Sequence, residues 1–85
     1  MDKATQDYID RHMAQTITDL KRLAAQPSVS AQKLGVLDCS QMVAEELTKA
    51  GFKVEVLPTA DRDYPVVYAE AEGASDYTLL FYNHY

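Results

Sequence analysis

Residues 77–85 read Tyr-Thr-Leu-Leu-Phe-Tyr-Asn-His-Tyr, and the fold turns on this stretch. From Thr78 to Tyr82 it is almost continuously apolar. A strand with no wet face is usually central in a sheet covered by helices on both sides. The stretch therefore predicts a buried central strand from Tyr77 to about Asn83. Gly73 to Asp76 form a short turn before it, so this strand and its predecessor are expected to make a hairpin. The predecessor opens at Pro65. Val67, Ala69 and Ala71 share one of its faces, and Tyr68, Glu70 and Glu72 the other. Thr59 to Tyr64 read as a polar loop. Ahead of that loop, Phe52, Val54 and Val56 alternate with Lys53, Glu55 and Leu57, a half-exposed first strand that ends at Pro58.

Two helices precede the strands. From about Gln32 to Ala50 the apolar stripe is Val36, Cys39, Val43, Leu47 and Ala50, with Asp38, Gln41, Glu45 and Lys49 outward. Gly51 sits where a helix needs a left-handed residue to stop, while Gly35 weakens only the first turn. From about Ala4 to Ala24, Ile9, Met13, Thr16, Leu20 and Ala24 recur every three or four residues, widened by Ile17 and Leu23. That stripe predicts one buried face and one wet face. Pro27 ends the helix, because a residue before proline avoids the helical region. Ser30 suits the N-cap of the second helix. The order is helix, helix, strand, strand, strand, with the most buried strand last: an α/β sheet left unfinished.

Composition sets the limits around this reading. The chain has 85 residues, 47% hydrophobic and 25% charged, an ordinary globular balance. It is small for a domain, and Cys39 is its only cysteine, so no disulfide can staple it. Eight Lys and Arg stand against 13 Asp and Glu, a formal net charge of −5. The basic residues are scattered, which argues against a nucleic-acid partner. The polar, acidic opening MDKATQDYID is no signal peptide, and no apolar run approaches the ~20 residues of a membrane span. A cytoplasmic protein is the expectation.

A histidine directly after a buried central strand stands where a metal ligand would be, because ligands collect at the carboxyl ends of such strands. One imidazole is not a site, since zinc takes three or four protein ligands. On the residues alone, His84 stays open between ligand and polar tail residue.

The run TLLFYNHY from Thr78 to Tyr85 resembles the start of the first metal motif of a large zinc metallopeptidase family. That family includes acetylornithine deacetylase, succinyl-diaminopimelate desuccinylase, carboxypeptidase G, aminoacylase and carnosine-type dipeptidases. Its members carry an apolar strand followed by His-x-Asp. The chain is similar to them in order throughout: an opening helix, the turn Pro27 to Ser30, and a second helix ending in Ala50-Gly51-Phe52. The strand Val54 to Val56 and the strand Pro65 to Gly73 follow.

The resemblance implies that residues 1–85 are the amino-terminal, incomplete part of a mixed-sheet, three-layer α/β/α zinc-exopeptidase domain. The first strand would lie between the other two, parallel to the third. His84 matches the family's first metal-ligand histidine, and no other site residue carries over. The family's bridging aspartate would follow Tyr85. The complete enzyme would hold two zinc ions, cleave a small peptide or an N-acyl amino acid, and could be a homodimer. The wording LLFYNHY leans toward the dipeptidase and carboxypeptidase branch. The 85 residues alone are expected to be inactive.

Other polar residues have plainer readings. Cys39 lies on an apolar stripe and reads as a buried, inert thiol. His12 is at a stripe edge and reads as surface. Glu70 and Glu72 share a strand face that solvation explains. The tyrosines of the β region suit half-buried pleated surfaces. The rival reading is a non-catalytic α/β module that binds a partner through an unpaired sheet edge, or a decayed gene product. A bare central strand would be sticky, so self-association is expected on either reading.

Overall fold

The two strands that alternate in sequence pair with each other. β1 (Lys53–Leu57) and β2 (Val66–Glu70) run antiparallel, with Lys53 opposite Glu70, Val54 opposite Ala69 and Leu57 opposite Val66. Opposed residues share a face, so Val54, Val56, Val67 and Ala69 form one side of the sheet. Helix α2 (Val36–Lys49) packs on the sheet, and helix α1 (Lys3–Ala25) touches α2. This computed structural model describes all residues from 1 to 85. The architecture is a small α+β fold: two helices and one two-stranded sheet.

Helix α1 starts on Asp2, whose carboxylate accepts the Thr5 N–H at 2.7 Å. That backbone contact holds the Asp2 carboxyl below its ordinary range. The helix stops at Gln26, which is extended ahead of Pro27 as sterics require. Its length matches the periodicity, but its stripe is not buried: no residue of α1 is, and Leu20 is 63% exposed. The contacts to α2 sit at the last turns, where Arg22 pairs with Glu46 and the Gln26 amide donates to the Gly35 carbonyl. The earlier turns project with nothing to pack on. No helix is long and apolar enough to cross a membrane.

The second helix begins at Val36, where its stripe begins, and not at the expected Gln32 with Ser30 as its cap. Ser30–Gln32 form a 3-10 turn with Val29, not a serine, before it. Val29 and Leu34 bridge across that turn, with N–H to carbonyl distances of 2.9 and 3.1 Å. Lys33 and Gly35 both take left-handed backbone, φ 52 and 73. Gly35 is the cap of α2, and a Cβ there would lie 2.2 Å from the Pro27 carbonyl oxygen. The glycine that weakens a helix interior is thus the residue that lets the chain turn against Pro27.

The core is Val36, Cys39, Ser40 and Ala44 of α2, with Pro65 beneath them. Ser40 tolerates burial because its hydroxyl donates to the Leu37 carbonyl at 2.7 Å. Five buried residues are few for 85. The radius of gyration, 15.1 Å, exceeds the roughly 12 Å of a compact domain this long.

The third strand is absent. Residues 71–85 form neither helix nor strand, and the expected hairpin of second and third strands is replaced by one of β1 and β2. Tyr77, Leu79, Leu80, Phe81 and Tyr82 stand 80–92% exposed. A central strand needs partners on both edges and a layer on each face. Here α2 covers one face of the sheet and nothing covers the other, so the three-layer arrangement is not formed by these residues.

Candidate metal ligand

The segment that carries His84 is fixed at its far end. The Tyr85 hydroxyl donates to the Pro65 carbonyl and lies close enough to Cys39 and Ser40 of α2 to feel both. Shielding from water pushes the Tyr85 hydroxyl pKa up; the Cys39 thiol adds to the rise and the Ser40 hydrogen bond opposes it. Pro65 immediately precedes β2, whose first residue faces the last residue of β1. Tyr85 is therefore held near the carboxyl end of β1, with His84 one residue before the anchor.

His84 is exposed, and its ring meets Tyr82 edge-on at 5.4 Å between centroids. No group of three His, Cys, Asp or Glu side chains comes together in the chain. The donor set is one imidazole, short of the three or four ligands zinc takes, so these residues do not by themselves complete a site. No catalytic step can be drawn through a metal from these residues alone.

The remaining polar residues are accounted for locally. Cys39 is 3% exposed, as its stripe position predicts. His12 is exposed on α1, stacked on Tyr8 at 4.0 Å, and its Nδ1 lies 2.7 Å from the Tyr8 carbonyl. Glu70 accepts the Tyr68 hydroxyl, which raises the Tyr68 pKa. Glu72 is exposed.

A cluster that the sequence does not announce lies on the other side of Pro65. Lys33 Nζ is 3.4 Å from Asp61, 3.3 Å from Asp63, and 5.8 Å from the centre of the Tyr64 ring. Asp63 lends most to raising the Lys33 pKa, and the Asp63 N–H most lowers that of Asp61. The Tyr64 hydroxyl donates to the Ser30 carbonyl at 2.6 Å. These bonds staple the 59–64 loop onto the turn before α2, which seats Pro65 under the helix. Their side chains are about half exposed, so the ion pairs position the loop more than they stabilise it. The Asp61-Arg62-Asp63 run signals a turn, but a partner nearly thirty residues upstream has no local signature.

No family model matches the chain, and no curated protein or solved structure matches it.

Proposed function

We propose that residues 1–85 are the amino-terminal part of the catalytic domain of a zinc-dependent hydrolase of peptide or amide bonds, with His84 as its first metal ligand. One observation carries this reading: an uncovered apolar run leads directly into an exposed histidine near the carboxyl end of β1. A run of that composition suits the interior of a larger sheet. Further residues would complete the three layers, place 77–83 beside β1, and supply the other ligands. Zinc in such a site lowers the pKa of bound water and polarises the scissile carbonyl. His84 would contribute one imidazole and be oriented through its neighbour Tyr85. A small peptide or N-acyl amino acid is the substrate class of this reading, and the cytoplasm its compartment.

The rival reading, a partner-binding module, is favoured by the outer edges of β1 and β2, each of which has no strand beside it. The coding sequence beyond Tyr85 separates the two. The hydrolase reading expects aspartate as the next residue, followed by a Val-x-Pro stretch. A stop codon in the native gene, or a non-acidic residue there, sinks it and leaves the module.

A further inference from the structure

Among non-glycine residues, Lys33 alone takes left-handed backbone, a conformation that costs an L-residue about 1–2 kcal/mol. In that position its ammonium reaches two carboxylates at once, Asp61 and Asp63. The loop that presents them is assembled by its own hydrogen bonds. The Asp63 N–H donates to the Asp61 carboxylate at 2.9 Å, and the Thr59 hydroxyl lies 2.7 Å from the Asp61 carbonyl and 2.8 Å from that of Tyr64. Tyr64 closes the bracket through its bond to the Ser30 carbonyl. The next residue is Pro65, which is buried and whose carbonyl holds Tyr85, the neighbour of His84.

We infer that Lys33 is a positioning residue for His84. Its ion pairs set the 59–64 loop, the loop sets the Pro65 carbonyl, and that carbonyl holds the chain beside His84. The use made of His84 rests on the hydrolase reading; the link to it is a property of these contacts and needs no metal.

Two features give the lysine this role. The paired strands end at Leu57 and Val66, so Pro65 lies just outside the ladder and the loop before it is tied to the turn ahead of α2 by Ser30 and Lys33. Asp61 and Asp63 also share one cation, so without it two like charges stay together in a short loop and push it open. Because all three side chains are about half exposed, salt weakens the link.

The test uses the whole gene product, kept free of metal by a chelator, with carbon-13 in its histidine rings and the pH fixed. The His84 signal is the one missing from His84→Ala. Lys33→Met is expected to move this signal, and Lys33→Arg to return it to the wild-type position. Salt at ~1 M, where screening acts within about 3 Å, should move the wild-type signal toward that of Lys33→Met and leave the variant's in place. His12, exposed on α1, should hold its position relative to a free histidine standard throughout. A His84 signal indifferent to Lys33→Met overturns the inference, and shows that strand pairing alone seats Pro65. So does a shift that arginine does not reverse, a wild-type signal that salt leaves alone, or a His12 signal that moves with His84. A product that shows the expected shifts but binds no zinc removes the hydrolase reading and keeps the link.

Discussion

A Gly35→Ala variant is expected to lose most of the packing between α2 and the sheet. Gly35 has φ 73, and an added Cβ would lie 2.2 Å from the Pro27 carbonyl oxygen, 2.8 Å from its carbon and 3.0 Å from the Pro27 Cβ. The backbone carbonyl cannot rotate away as a side-chain tip would. A left-handed conformation costs an L-residue about 1–2 kcal/mol, and overpacking adds roughly 1–3 kcal/mol. A domain of this length is worth only ~0.05–0.15 kcal/mol per residue, and five buried residues place this one at the low end. Gly51 supplies the control: it is also left-handed, at φ 97, but nothing lies within 4 Å of its added Cβ. Urea unfolding should rank wild type above Gly51→Ala and Gly51→Ala well above Gly35→Ala. Equal midpoints for the two alanine variants would show that the Pro27 contact does not constrain the junction.

The second large effect is expected at Cys39. Its thiol is 3% exposed, with Ser40 next to it in α2 and the Tyr85 hydroxyl near enough to be influenced by it. Cys39→Asp would bury a carboxylate with no cation near it, which costs several kcal/mol unless the group stays protonated. Cys39→Ala removes one sulfur from the same place and should keep the fold with a modest loss. The native thiol should accordingly react slowly with a disulfide reagent and quickly once the chain is unfolded. Amide chemical-shift dispersion checks the pair of variants. Dispersed spectra for Cys39→Asp, or collapsed ones for Cys39→Ala, would remove Cys39 from the core.

Much of the local structure was legible because it depends on spacing alone. The alternation from Phe52 to Leu57 and from Pro65 to Glu72 identifies both strands, although the second one ends at Glu70, and which of their residues share a face. Pro27 and Gly51 mark helix ends through backbone sterics. What was not legible depends on neighbours. The stripe of α1 states that a face is apolar, not that anything lies against it, and no residue of α1 is buried. The run 78–82 states a need for cover on two sides, which one sheet and two helices do not meet. Gly35 is ambiguous in sequence between a weak helical residue and a left-handed cap; the closeness of Pro27 decides it. The Tyr85 to Pro65 hydrogen bond and the Lys33 to Asp63 pair join residues far apart in the chain, where no periodicity reaches. His84 could be read as a residue type in a suitable place, and its partners could not.

The central claim, that His84 is a zinc ligand, is tested most directly by the metal content of the whole gene product, purified with and without His84→Ala. The wild-type product is expected to hold about two zinc ions per chain. The variant should lose at least one of them, while its helical signal is unchanged because His84 is exposed. The same zinc content in both proteins would contradict the assignment.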